Sequence, residues 1–249
     1  MKVGSLFAGI GGFDLGLERA GFEIAWQVEI DPYCQRVLAK HWPNVQRYGD
    51  IRAIDWATVP RVDLLCGGFP CQDLSFAGKR AGIDGERSGL WSEYVRAIRA
   101  LRPQYIIVEN VPGLLTNAYM GRVLGDLAAS GYDAEWDCLP ASAFGAKHER
   151  DRVWIVAHAA SNGLEALSTK AGILMEAAIP RNGGFARAEG GESMVFSEPA
   201  YRQMVAEPNI LGVTYGLPNR VHRLKGLGNA IVPQIAEWLG RQIMSSEQA

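Results

Sequence analysis

The stretch GGFPCQDLSFAGKR, Gly67 to Arg80, ends an apolar run with two glycines, a proline and a thiol, then opens into a Gly-bearing, partly basic loop. A buried cysteine is usually a small hydrophobe, and the run VDLLCGGFPC would suit that role. Cys71, however, lies beyond the run, where side chains tend to reach solvent or ligand. A thiol so placed is a candidate nucleophile.

Other residues able to do chemistry fall at comparable places. In SLFAGIGGFDLGLE, Gly9, Gly11 and Gly12 lie between a strand-like run and a helical one, where bare backbone lets a nucleotide-like ligand approach. The spacing misses the dinucleotide fingerprint, because the third glycine of G-x-G-x-x-G would fall at Asp14. Glu29 has the chemistry to bond ribose hydroxyls, and Asp50 in YGDI could face an adenine amino group. Either could instead be a cap or turn residue. Glu109, in VENV, ends another apolar run. In an open parallel sheet, ligands bind at the carboxyl ends of strands, and Gly9, Glu29, Asp50, Cys71 and Glu109 are all expected there.

The elements that would carry them alternate. KVGSLF, EIAWQVE, RVDLLC, QYIIVEN and RVWIVAH read as strands separated by amphipathic segments, which predicts an α/β fold with a mostly parallel sheet. Asp31 and Pro32 signal a helix start as N-cap and first helical residue. In LWSEYVRAIRALRP, Trp91, Tyr94 or Val95, Ile98 and Leu101 share a face, and Pro103 ends the helix. From about 161 to 212 the pattern dissolves into a Gly-rich stretch, read as a small loop-rich insertion. Ile231, Ile235, Leu239 and Ile243 then restore helical spacing.

Bulk properties narrow the classes. The 249 residues are 48% hydrophobic and 21% charged, enough for a substantial core in one domain with an insertion, or in one large and one small domain. A net charge of −2 gives no global nucleic-acid signature, so any such binding must come from local basic clusters. Cys34, Cys66, Cys71 and Cys138 show no C-x-x-C pairing, and free thiols in a reducing cytoplasm are expected. The charge-poor segment after Lys2 imitates a leader, but Asp14, Glu18 and Arg19 follow at helical spacing without an A-x-A pattern. No run approaches the roughly 20 apolar residues needed to span a bilayer.

The ordered motifs SLFAGIGGFDLGLE, VEIDPY, GDI, GGFPCQDLS, RSGLW, VENV, HERDRVWIV and LGNAIVPQIA resemble those of the DNA (cytosine-5)-methyltransferases, from Ser5 to Ala236. The resemblance implies a Rossmann-like, S-adenosylmethionine-dependent methyltransferase fold with a small target-recognition insertion. It implies that Phe7, Gly9, Ile10, Gly12, Glu29, Ile30, Asp50, Ile51, Pro70, Leu90, Asn229 and Ala230 surround S-adenosylmethionine. Catalysis would fall to Cys71, Glu109, Arg152 and Arg150. The expected division is a catalytic and cofactor-binding part at 1–160, target recognition at 161–212, and a segment at 213–249 whose last helix folds back beside the first strand. The expected partner is double-stranded DNA, acted on by a cytoplasmic monomer without membrane contact.

Two departures stand out. The family's Gln-x-Arg-x-Arg reads His148-Glu149-Arg150-Asp151-Arg152 here, keeping both arginines, and the recognition region is reduced to about fifty residues. Gln72 to Gly89 suits a loop that fills the space left by a flipped base, with Lys79, Arg80 and Arg87 toward phosphate. Arg220, Arg223 and Lys225 form a second basic run, with a solvated helix face as the alternative. Three rival functions compete. A transfer-RNA cytosine methyltransferase would use the same chemistry, but the Cys-Phe-Thr signature of that subfamily is missing. A catalytically silent DNA-binding subunit is opposed by the presence of Cys71, Glu109 and Arg152 together. A nicotinamide oxidoreductase is opposed by the glycine spacing.

Overall fold

The computed structural model describes residues 1–70, 89–115, 117–146, 149–160, 226–227 and 229–248. Cys71, the loop from Gln72 to Ser88, His148, the 161–212 region and the Arg220–Lys225 run lie outside the described residues.

Among the described residues, seven strands form one sheet in the order β3-β2-β1-β4-β5-β7-β6. β1 (Lys2–Leu6), β2 (Glu23–Val28), β3 (Gln46–Tyr48), β4 (Leu64–Gly67) and β5 (Tyr105–Asn110) run parallel. β6 (Tyr132–Pro140) and β7 (Asp151–Ala159) complete it, β7 lying antiparallel to both β5 and β6. The central strands are largely apolar because both their faces are covered. The four residues of β4, Leu-Leu-Cys-Gly, are all buried.

One face packs against α3 (Leu90–Leu101) and α4 (Asn117–Ala129), the other against α1 (Gly12–Arg19) and α5 (Pro233–Ser246). The apolar stripe of α3 buries Trp91, Tyr94, Val95, Ile98 and Leu101, so both alternatives at 94 and 95 face the core. The chain leaves α3 through Arg102 in a left-handed conformation, one residue before Pro103. At the start of α2 (Pro32–His41) the Asp31 carboxylate accepts from the backbone N–H groups of Tyr33 and Cys34. That is the cap its sequence position predicts.

Ile235, Leu239 and Ile243 of α5 are buried with Phe13 and Leu17 of α1 and Val3 of β1, so the C-terminal helix closes over the first strand. The helices meet through missing side chains: a Cβ at Gly240 would lie 2.8 Å from the Ala20 methyl. Cys66 sits fully buried in β4, which leaves it a packing role. No described helix is long and apolar enough to cross a membrane.

Candidate active site

The parallel strands deliver their C-terminal ends to one edge, and the chemistry-bearing residues begin there. After β1 the chain turns sharply, with φ of +52° at Phe7, +58° at Gly9 and +89° at Gly11. Gly11 is the left-handed N-cap of α1, a conformation that glycine adopts without strain. Gly12 has a different reason to be glycine. A Cβ there would lie 2.5 Å from the Ile231 carbonyl oxygen, so it admits the segment preceding α5. Gly9 faces open space, its nearest neighbour to a Cβ being the Phe7 carbonyl at 3.9 Å.

Glu29 follows β2 and is tied to this turn. Its carboxylate accepts from the Gly9 N–H at 2.7 Å and from the Asp31 N–H at 2.7 Å, one oxygen each. The Gln35 side-chain amide, which the sequence gives no reason to single out, donates to the Glu29 carbonyl at 2.6 Å. The acid is thereby fixed rather than free to swing, with lone pairs left on both oxygens. Next to it Ile30 is 62% exposed, an apolar side chain offered to solvent at the strand end.

Asp50 caps the short 3₁₀ turn Ile51–Ala53 and holds the Arg52 guanidinium at 2.7 Å. That arginine keeps the carboxyl below the usual range. Ile51 turns inward into the core at 3% exposure, so its side chain supports the turn from beneath. Ile10 is half-buried beside Gly226, and Leu90 packs at the start of α3 against the core. Pro70 is half-buried at the end of the segment leaving β4, and Asn229 is exposed.

A second cluster gathers around Glu109 at the end of β5. Its side chain is 12% exposed and contacts the Arg152 Nε at 3.1 Å. Burial pushes the carboxyl up to about 7, against the opposing pull of Arg152 and then Arg150. An acid so poised holds a proton near neutrality and can release it, as a general acid must.

The neighbouring backbone is equally constrained. The Asn110 amide donates to the Phe69 carbonyl at 3.2 Å, while its Oδ1 accepts from the Val111 N–H at 2.8 Å. Phe69 itself is buried, its ring 5.2 Å from Trp91. The segment leading to Cys71 is therefore pinned to the strand that carries Glu109. A Cβ at Gly68 would lie 2.7 Å from the Glu109 Oε2. Gly68 and Asn110 carry no reactive group and escape a search for chemistry, although the double glycine before Phe-Pro-Cys and the Asn following Glu109 were visible signals.

The segment Asn229–Ile231 joins the two clusters. The Ala230 carbonyl accepts from the Arg150 guanidinium at 2.9 Å, and Ile231 lies against Gly12 on one side and Gly68 on the other. The structure thus brings Gly9, Gly12, Glu29, Glu109, Arg150, Arg152 and Ala230 to one edge of the sheet.

Residues 1–181 match the family described as C-5 cytosine-specific DNA methylase. The Type II methyltransferase M2.BsuMI of Bacillus subtilis (strain 168) is 41% identical over 167 residues, which are 63% of this chain and 42% of that protein. M.NgoFVII of Neisseria gonorrhoeae is 36% identical over 160 residues, 62% of this chain and 43% of that protein. The chain thus spans less than half the length of these relatives. A candidate DNA modification methyltransferase encoded within an E. coli prophage superposes with a TM-score of 0.55 at 27% identity, covering 64% of this chain and 47% of that one. The Dnmt2 methyltransferase of S. pombe shares the fold at a TM-score of 0.52 and 20% identity, over 66% of this chain and 50% of that one. The glycine turn, the pinned segment before Cys71 and the buried acid after β5 lie within the matched residues, and the chain belongs to the C-5 cytosine-specific DNA methylase family.

Proposed function

We propose that the chain carries the catalytic machinery of a DNA (cytosine-5)-methyltransferase. The observation that supports this reading most is the Glu109 carboxyl, buried, held by Arg152 and raised to about 7 beside the segment that leads to Cys71. Carbon 5 of cytosine is a weak nucleophile, and the ring becomes reactive only when a nucleophile adds at carbon 6. Cys71 as thiolate forms the S–C6 bond. The C5–C6 π electrons move toward ring nitrogen 3, which takes a proton from Glu109, so no anionic charge is left on the ring. Carbon 5 of the resulting enamine then takes the methyl group and loses its proton to a base. The thiolate leaves with the S–C6 pair as the C5–C6 double bond re-forms, and nitrogen 3 returns its proton to Glu109. Arg152 orients Glu109 and the cytosine carbonyl, while Arg150 fixes the Asn229–Ile231 segment.

S-Adenosylmethionine would supply the methyl group from its sulfonium sulfur, which keeps the S–CH3 bonding pair and becomes a neutral thioether. The chain's own residues fit such a ligand. Glu29, anchored through Gly9 and Asp31, offers acceptors for ribose hydroxyls, exposed Ile30 offers an apolar surface to a purine, and Gly9 leaves the turn open. Phe7, Ile10, Gly12, Asp50, Ile51, Pro70, Leu90, Asn229 and Ala230 complete the proposed surround. Asp50 serves as acceptor and Ile51 as support from the core.

Within this reading 1–160 and 213–249 form the catalytic part, and 161–212 selects the sequence. The substrate is a cytosine flipped from double-stranded DNA at a cost of a few kcal/mol. The protein acts as a cytoplasmic monomer. The test exposes plasmid DNA and transfer RNA to the protein with S-adenosylmethionine and bisulfite-sequences both. 5-Methylcytosine at a defined plasmid sequence is expected. Modification of transfer RNA alone would overturn the choice of polymer, and DNA binding without modification would leave a silent subunit.

A further inference from the structure

We propose that Gly68 is a positioning residue for the reaction: the volume of its missing side chain is where the Glu109 carboxylate sits, and that vacancy fixes the acid opposite the base. The inference rests on the reading of Glu109 as proton donor.

Gly67 pairs with Val108 across the parallel β4–β5 ladder, so Gly68 comes beside Glu109 at the edge of the sheet. A Cβ on Gly68 would lie 2.7 Å from Glu109 Oε2, 3.5 Å from the Glu109 carbonyl oxygen and 3.6 Å from Ile231 Cδ1. Only the first contact is too close to exist. What it strikes is the end of a side chain, which can move, whereas backbone cannot.

The contrast with Gly67 is informative. A Cβ there would lie 2.6 Å from the Leu6 carbonyl oxygen in the centre of the sheet, so that glycine serves the fold. Gly68 is not among the described glycines with positive φ, so no left-handed backbone there calls for glycine. Among the described residues, only the Glu109 carboxylate stands too close to Gly68 to admit a Cβ.

Two further contacts make this vacancy set a position. The other Glu109 oxygen is held by Arg152 at 3.1 Å, so the carboxylate is seated between Arg152 and Gly68. The Asn110 amide bond to Phe69 ties the glycine's segment to β5. Gly68 therefore cannot swing aside to admit a methyl group, and the acid must yield instead. Among the described residues, the charged groups acting on Glu109 are Arg152, at the start of β7, and Arg150, just before it. β4 and the segment before α5 present only Gly68 and Ile231.

The test is Gly68→Ala in the full chain, measured against pH on one DNA substrate. Thermal melting and calorimetric binding of S-adenosylmethionine report the fold and the cofactor turn. Melting and cofactor affinity are expected to stay close to wild type. The maximal rate should fall by about tenfold or more while the KM for DNA changes by less than about threefold, the pattern of a lost transition-state interaction. The added methyl dries the carboxyl and favours its neutral form, so the alkaline limb of the rate profile should move to higher pH. A merely structural loss would lower the whole profile without moving the limb.

In a Glu109→Ala background the methyl has nothing to strike, and adding Gly68→Ala should change the residual rate by less than about twofold. A wild-type rate and limb in Gly68→Ala would overturn the inference, as would an undiminished loss in the Glu109→Ala background. A wild-type chain that methylates no cytosine would instead remove the donor reading on which the inference stands.

Discussion

The Nε of Arg152 lies 3.1 Å from Oε1 of Glu109, across the antiparallel pair that joins β5 to β7. β7 runs opposite to its neighbour, so the start of β7 meets the end of β5 and brings the two groups together. An arginine beside a buried acid lowers its pKa, yet burial prevails and the carboxyl stays near 7. Arg152 thus tunes the acid without stripping its proton.

Arg152→Ala should raise the Glu109 pKa further, since the largest opposing influence is gone. The alkaline limb of the methylation profile should move upward, while the maximal rate falls about a hundredfold through lost orientation. Rates measured across pH 6 to 9 would check both. A limb that moves downward would mean that Arg152 does not act on Glu109.

Glu109→Gln removes the transferable proton but preserves shape. Adduct formation in single-turnover experiments should slow by about 10²- to 10⁴-fold, the usual contribution of a general acid. S-Adenosylmethionine affinity measured by calorimetry should be unchanged, because Glu29 and the glycine turn are untouched. A loss of cofactor affinity equal to the loss of rate would place Glu109 in the wrong role.

Much of this arrangement was legible in the sequence because its signals are local. β1, β2, β4, β5 and β7 are apolar runs between turn residues, and Asp31 caps α2 as its place before a proline implies. β3, with only Gln46, Arg47 and Tyr48, is too short and polar to stand out, and β6 carries Asp133, Glu135 and Asp137 on an exposed edge of the sheet. In the sequence, the candidate site stands out where a reactive group marks it. Gly68, Gly12 and Asn110 stand in visible motifs, but their partners, Glu109, Ile231 and Phe69, lie on distant segments that no local pattern records. Ile51, which the resemblance places around the cofactor, has its side chain buried beneath the turn.

Glu29→Ala removes two backbone anchors as well as the proposed ribose acceptor. S-Adenosylmethionine binding should weaken by about tenfold or more, as expected for a lost bond to a charged group. Calorimetry without nucleic acid would measure it, with NADH as the control ligand. Saturable NADH binding without S-adenosylmethionine binding would reject the cofactor assignment.

Stability should fall as pH rises from 5 to 7. Asp14 is fully buried, bonded by Ser5 and Gln27, and burial lifts its carboxyl to about 6. The folded state therefore keeps a proton that the unfolded chain has released, and so does Glu109 up to about 7. Each such group costs up to about 1.4 kcal/mol per pH unit across its window, and above the folded pKa the cost is complete. Asp14→Asn should flatten the pH 5 to 6 part of the urea-unfolding profile by about 1.4 kcal/mol. A wild-type stability that rises over this range would contradict the burial argument.

The thiol at 71 should form a transient bond to the flipped cytosine, and that bond can be trapped. With 5-fluorocytosine in the target, attack at carbon 6 and methyl transfer to carbon 5 proceed. Fluorine cannot then leave as a proton would, so elimination stalls with the S–C6 bond intact. The protein should remain on DNA through denaturing electrophoresis, and only when S-adenosylmethionine is present. Cys71→Ser should abolish the adduct, because a serine hydroxyl is scarcely ionised at neutral pH without an activating base. The other thiols make poor rivals. Cys66 is fully buried and its pKa is pushed well up by that burial, while Cys34 packs in α2 and Cys138 lies on β6, with its pKa also raised. Peptide mapping should recover the modified base on Cys71. A complex that survives Cys71→Ser, or that maps to Cys34, Cys66 or Cys138, would reject the mechanism.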